Sequence, residues 1–195
     1  MGPSCVDEGY FTYLSGRSLL ALLYRRHFLY PRLRRYLVGR VLDVGCGIGD
    51  FLNFYRNAVG VDINPFAVEY CRRQGLEAYQ AEAGRFPLES RAFDSAILDN
   101  VIEHLEDPAP ILKEVLRVLR PRGRILVGIP GRRGYEVDPS HRLFYDAEAL
   151  AAYMLTNGCM KQRIFGAPFR SRWLDRRMPQ YCIYGVFDAP PSAKS

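Results

Sequence analysis

The chain has 195 residues, enough for one compact domain with a short appendage, and 48% of them are hydrophobic, too many for a disordered chain. It has no run of about 18 uncharged apolar residues, so no membrane-spanning helix is expected. Its five cysteines are odd in number and widely spaced with no Cys-x-x-Cys pair, so neither a disulfide framework nor a metal site is expected.

The start, Met1 to Glu8, lacks a basic-then-apolar export pattern, and Pro3 and Val6 break a myristoylation pattern, so a cytoplasmic location is expected. Leu14 to Leu37 has helical periodicity, with Leu19, Leu22 and Leu23 among Arg17, Arg25 and Arg26. Pro31, which cannot donate a hydrogen bond and clashes with the preceding turn, predicts a split into two helices. Short β-rich runs and helical stretches then alternate. Strands are expected at Val41–Val44, Val59–Ile63, Glu77–Gln80, Phe93–Leu98 and Arg124–Ile129. The helices between them cover Phe51–Arg56, Pro65–Arg73 and a long stretch ending near Arg120. Tyr145–Asn157 reads as a helix with Asp146 as N-cap and Gly158 as its end. Two last strands fall near Arg163–Gly166 and Tyr181–Phe187. Alternating βα units predict a parallel sheet with helices on both faces and a ligand site beyond the carboxyl ends of its strands.

The segment Val41-Leu-Asp-Val-Gly-Cys-Gly-Ile-Gly-Asp50 runs an apolar strand into Gly45, Gly47 and Gly49. Such glycines let a backbone turn tightly and approach a ligand closely, although an ordinary βα turn also uses them. A dinucleotide site wants Gly-x-Gly-x-x-Gly, and here Asp50 holds the third position, where an acid repels phosphate. Asp43 before the turn suits a ligand with a positive end and no phosphate. S-adenosylmethionine has an ammonium, a sulfonium and no phosphate. Asp62, ending Val59-Gly-Val-Asp-Ile-Asn-Pro65, stands where a carboxylate can accept both hydroxyls of an adenosine ribose, or merely cap the next helix.

These two segments resemble the first cofactor motifs of class I S-adenosylmethionine-dependent methyltransferases, in their large small-molecule branch. The likeness continues through Ala81–Leu88, through Phe93–Pro108 (Phe-Asp-Ser-Ala-Ile-Leu-Asp-Asn-Val-Ile-Glu-His-Leu-Glu-Asp-Pro) and through Leu116–Val127, and it covers about residues 38–166. It implies a Rossmann-like, doubly wound, seven-stranded α/β sheet, mostly parallel with an antiparallel last strand. It implies S-adenosyl-L-methionine as cofactor, with Asp43, Gly45, Cys46, Gly47 and Gly49 at the methionine end and Asp62 on the ribose. Ile63 then packs on adenine, Glu82 and Ala83 lie near the adenine amino group, and Asn100 lies close to the methyl donor. The sequence departs from the family in Glu82, where Asp is more usual, and in Arg122, where Gly is usual.

The leading hypothesis is methyl transfer to an oxygen or nitrogen of a small or glycan-like acceptor. Such transfer draws much of its rate from positioning, and a hydroxyl acceptor gains from a base. His104, after the fourth strand, and His141, in a polar segment after the fifth, are the candidate catalytic bases. The alternatives are that His104 orders its loop and that His141 is a surface residue. His27 belongs to a solvated helix face.

Residues 1–40 and 161–180 are both strongly basic, and the body between them is mildly acidic. Arginine supplies 24 of the 27 basic residues, and its planar fork suits phosphate and carboxylate. Either the arms are solvated surface, or they gather an anionic acceptor, small or glycan-like, of the kind used in surface-polysaccharide synthesis. Tyr10, Phe11, Tyr13, Tyr24, Phe28, Tyr30 and Tyr36 crowd the first arm, as core, as stacking faces for an acceptor, or as a shallow membrane contact. Three units are expected: a helical cap over the acceptor at 1–38, a cofactor-binding domain at 39–189, and a tail at 190–195. Nucleic-acid methylation is the second hypothesis, weakened by Asp99-Asn100-Val101-Ile102 in place of an Asn-Pro-Pro-Tyr type motif. A non-catalytic cofactor-binding protein is the third.

Overall fold

A computed structural model of the chain describes residues 16, 18–82 and 84–191. Tyr10, Phe11, Tyr13, Ala83 and the last residues of the tail lie outside the described residues.

Helix α1 (Leu19–Tyr24) is capped by Ser18, whose hydroxyl accepts from the Ala21 N–H. It runs into a π-helical turn, Arg25–Leu29, and then into α2 (Tyr30–Arg34). The expected split at Pro31 does not occur. The backbone stays in the right-handed helical region through Tyr24, Leu29 and Tyr30, and Tyr30 N–H reaches back five residues to the Arg25 carbonyl. The wider turn just before the proline makes room for its ring, so the hydrogen-bond pattern changes while the rod continues.

Seven strands follow: β1 (Val41–Val44), β2 (Ala58–Asp62), β3 (Ala78–Gln80), β4 (Phe93–Asp99), β5 (Leu119–Pro130), β6 (Met160–Ala167) and β7 (Cys182–Asp188). They form one sheet in the order β3-β2-β1-β4-β5-β7-β6. All pairings from β3 to β5 are parallel, and β7 runs antiparallel to both β5 and β6. The expected mostly parallel sheet with an antiparallel last strand is therefore present. β1 is buried along its whole length, as a central strand covered on both faces must be.

Two apolar clusters cover the two faces. On one, Leu29, Tyr30 and Leu33 of the N-terminal rod join α3 (Asp50–Phe54) and α4 (Pro65–Arg73). On the other, α5 (Ala109–Val118) and α7 (Ala147–Thr156) supply Leu112, Val115, Leu150 and Met154. Two short helices, α6 (Arg132–Val137) and α8 (Arg172–Arg177), stand in loops at the carboxyl end of β5 and between β6 and β7.

Some boundaries differ from expectation. The first helix of the sheet stops at Phe54, with Tyr55 already extended. The long stretch after β4 is a 3₁₀ turn, Ile102–His104, and then α5, because Pro108 and Pro110 confine the helix start. β5 begins at Leu119, and Arg122 sits at φ 60°, the left-handed conformation that explains why a glycine is usual there. The chain proceeds outward from β1 to β3 on one side, then returns to β4 and β5 on the other. The switch point lies between β1 and β4.

Candidate active site

The carboxyl ends of β1, β2 and β4 meet at that switch point. Gly45, Gly47 and Gly49 all have positive φ, at 69°, 52° and 80°. Gly45 also meets the loop after β4, where an added Cβ would lie 2.7 Å from Val101 Cγ2. The turn is tied to β2 by Gly45 N–H and Cys46 N–H, both donating to the Val61 carbonyl. Gly47 N–H donates to Asp62 Oδ2 at 2.7 Å and Asn64 N–H to Oδ1 at 2.8 Å. Burial raises the Asp62 pKa, and these backbone N–H groups pull it back, so its carboxylate is held in place with lone pairs to spare.

Asp43 is 3% exposed, and its Oδ2 has no hydrogen-bond partner among the described residues. Burial, followed by the nearby Asp99 carboxylate, raises its pKa well above the ordinary carboxylate value. A buried acceptor without a donor, beside a turn with no side chains in the way, fits a ligand that brings its own cationic donor. The ammonium of S-adenosylmethionine is such a group. Asp43, Gly45 and Gly47 would hold its methionine end, Asp62 its ribose, and the half-exposed Ile63 its adenine. Glu82 is exposed and pairs through its backbone with Arg85. The Cys46 thiol packs against Gly60 and Cys71, so this residue can serve a ligand only through its backbone.

Beyond β4 stands a network that sequence reasoning misses. Asp99 Oδ2 accepts from Arg25 Nη2 at 2.7 Å, and its Oδ1 accepts from Tyr184 Oη at 2.8 Å and from Asn100 Nδ2 at 3.1 Å. Arg25 Nε donates to Tyr30 Oη at 2.9 Å. Burial works against the Arg25 charge, and Asp99 holds it cationic. Cys182 Sγ lies 3.7 Å from Asn100 Oδ1, and burial with the Asp99 charge pushes its thiol up to about 12. Asn100 takes φ 60°, a conformation asparagine tolerates better than most residues.

His104 and His141, far apart in sequence, come together with ring centroids 4.7 Å apart. Burial, and then the neighbouring His141, lowers the His104 pKa. Glu103 is 1% exposed, and burial raises its carboxyl to about 8. Neither Glu103 oxygen is hydrogen-bonded to another of the described residues. The segment carrying His141 is strapped to this turn, with Arg142 and Leu143 N–H both donating to the Glu103 carbonyl.

Residues 42–127 match the methyltransferase domain family. A probable S-adenosylmethionine-dependent methyltransferase of Mycobacterium tuberculosis is 32% identical over 149 residues, which cover 69% of this chain and 54% of that protein. The chain belongs to the class I S-adenosylmethionine-dependent methyltransferases. A fatty-acid O-methyltransferase of Mycolicibacterium smegmatis, similar to this chain, is 36% identical over 119 residues, or 55% of this chain and 43% of that one. The fold also matches the crystal structure of an S-adenosylmethionine-dependent methyltransferase from Thermotoga maritima. The TM-score is 0.73 at 21% identity, with 92% of this chain and 98% of that chain covered. The chain spans 41% to 62% of the length of the first curated relatives it matches.

Both basic arms reach the end of the sheet where the site lies. Arg25 enters from the first, and Arg32 Nη1 donates to the Pro168 carbonyl in the loop between β6 and β7. In that loop, Arg172, Arg176 and Arg177 of α8 are exposed. Arg25, which the sequence assigns to a basic arm facing an acceptor, is committed to Asp99. Of the N-terminal aromatic residues, Tyr30 is core, Tyr36 stacks on Phe165, and Phe28 is exposed.

Proposed function

We propose that this chain transfers a methyl group from S-adenosylmethionine to an oxygen of a small anionic acceptor. The observation that carries the donor half is Asp43, a buried carboxylate with an unmatched oxygen at the head of the glycine turn. The donor supplies an electrophilic methyl on a sulfonium. The acceptor oxygen forms the new O–C bond as the C–S bond breaks, the electron pair stays on sulfur as a neutral thioether, and a hydroxyl acceptor also gives up its proton.

The residues at the far side of β4 receive the acceptor. His104 and His141 border the mouth of the site, and Asn100 is fixed between Asp99 and Cys182. The exposed arginines of α8 stand at the same end of the sheet and raise the local concentration of phosphate- or carboxylate-bearing molecules. A charged saccharide and a fatty acid both fit that chemistry. The similarity to a fatty-acid O-methyltransferase supports an oxygen acceptor.

The test is transfer of labelled methyl to a panel of uronic acids, sugar phosphates, fatty acids, neutral phenols and RNA. Labelling confined to acidic small molecules is the expected result. Labelling of neutral phenols or RNA in preference overturns the acceptor half, and binding of donor without any transfer overturns the enzymatic reading.

A further inference from the structure

The Glu103, His104 and His141 side chains each offer a ligand atom, and these atoms lie within 4.8 Å of one another. We propose that the three residues bind a divalent first-row transition-metal ion at the acceptor edge of the site. The ion-binding half of this inference stands apart from the methyl-transfer reading.

The hydrogen bonds around the two histidines decide which ring atoms are available. Ser140 Oγ gives its one proton to Asp138 Oδ1, at 2.5 Å. Its contact with His104 Nδ1, at 3.0 Å, then requires that Nδ1 be the donor. His141 Nδ1 lies 3.1 Å from the Tyr135 carbonyl, which can only accept. Both imidazoles therefore carry their proton on Nδ1 and keep an Nε2 lone pair. His141 Nε2 lies 3.8 Å from Asp138 Oδ2, beyond hydrogen-bond reach. Metal-ligating histidines are oriented in this way, with one nitrogen pinned by a carbonyl or carboxylate and the other left to the ion.

Glu103 supplies the independent observation. Its side chain is almost wholly buried, yet neither oxygen is hydrogen-bonded to any other described residue. Buried carboxylates are ordinarily paired or bound to a cation. The Arg142 and Leu143 bonds to the Glu103 carbonyl make the approach of the His141 segment part of the fold.

Two imidazoles and one carboxylate suit zinc, cobalt, iron or manganese better than magnesium, which prefers oxygen ligands and sheds water reluctantly. Metal–nitrogen bonds of about 2.0–2.1 Å place neighbouring donors roughly 3–3.5 Å apart, so ligand atoms now within 4.8 Å of one another would draw in by up to roughly 1.5 Å on binding. Three protein ligands leave coordination positions open. Val101, two residues before Glu103, packs over Gly45 and so joins this turn to the cofactor turn. An acceptor oxygen bound at an open position would lose its proton more readily. This second half rests on the methyl-transfer reading.

The experiment is a cobalt(II) titration of the full chain after chelator treatment, without donor or acceptor, followed by visible absorption. One equivalent should bind, with no thiolate charge-transfer band. Glu103→Gln and His141→Asn should each weaken binding tenfold or more, and His27→Asn, on the exposed helix face, should leave it unchanged. Ser140→Ala should weaken it by about tenfold, since it frees the His104 tautomer. Thermal melts without metal establish that each variant is folded, and loss of the cobalt-induced rise in Tm provides a second readout. No binding, a thiolate spectrum, or binding indifferent to both Glu103→Gln and His141→Asn overturns the site. If cobalt binds as expected but turnover is the same before and after chelation, the site stands and its role toward the acceptor is overturned.

Discussion

Arg25 Nη2 lies 2.7 Å from Asp99 Oδ2 and so ties the N-terminal helical rod to the end of the central strand β4. The Asp99 side chain is 9% exposed and that of Arg25 23%. Removing one partner leaves the other charge buried and unpaired. Arg25→Ala should therefore destabilise the protein by about 2–4 kcal/mol, read as a lower urea midpoint at unchanged slope. A loss under about 0.5 kcal/mol would show that the rod docks through its apolar residues alone.

Gly128 is what lets this network close. A Cβ there would lie 2.5 Å from Tyr184 Cε1 and 2.7 Å from Asp99 Oδ1. Gly128→Ala should cost about 1–3 kcal/mol, because the Tyr184 ring on β7 and the Asp99 carboxylate on β4, which flank Gly128 of β5, would both have to shift. Tyr184→Phe, which removes only the hydroxyl bond to Asp99, should cost less, about 1 kcal/mol. Equal losses in the two variants would contradict the steric argument.

How much of this was legible beforehand varies with the kind of residue. α4 falls where the sequence puts it because its signals are local: Pro65 opens it, and the side chain of Asn64 accepts from the Phe66 and Ala67 N–H groups. α7 is legible for the same reason, through Asp146. The glycine turn and Asp62 are legible because their spacing is fixed by backbone geometry. The Arg25–Asp99–Tyr184 network is not, since its members are 74 and 85 residues apart and nothing local marks them as partners. Pro31 misleads because the rule for proline concerns an ideal α-helix, and a π turn relaxes the clash. The two histidines are legible singly, as candidate bases. Their junction with Glu103 depends on a loop strapped to a distant turn, and only the fold shows it.

Cofactor affinity should depend on pH through Asp43. Its folded pKa is raised by burial, so in the free protein the carboxyl keeps its proton above the ordinary carboxylate range. The group thus favours the fold below its unfolded pKa, and that contribution is lost as pH rises through the raised folded value. A ligand ammonium beside Asp43 stabilises the carboxylate and releases the proton. Calorimetry should show donor binding tightening as pH rises through this window, with proton release, and Asp43→Asn should flatten the dependence. A pH-independent affinity in the wild type would place the ammonium elsewhere.

The other cofactor contacts have sharper signatures. Asp62→Ala should weaken donor binding by about 1.5–3 kcal/mol, the range for hydrogen bonds to a charged group. Gly47→Val should abolish binding, since Gly47 sits at φ 52° and a β-branched residue resists that conformation. Calorimetry with a melt as folding control reads both. Normal affinity in Gly47→Val would mean that the turn does not line the pocket.

The basic arms give the last prediction. Arg25 and Arg32 are committed to Asp99 and the Pro168 carbonyl, so a reading in which the whole N-terminal arm faces an anion no longer holds. Arg176 and Arg177 are exposed at the end of α8, at the carboxyl edge of the sheet. Exposed charges attract over roughly a Debye length, about 8 Å at physiological salt and about 3 Å at 1 M. Changing both residues to Ser should raise KM for an acidic acceptor several-fold at low salt and leave kcat and donor affinity unchanged. The difference from wild type should disappear near 1 M salt. A neutral acceptor should show none of this. If KM for acidic acceptors is indifferent both to the double change and to ionic strength, the α8 arginines are solvated surface. The acceptor must then be recognised inside the pocket, by the residues around His104 and His141.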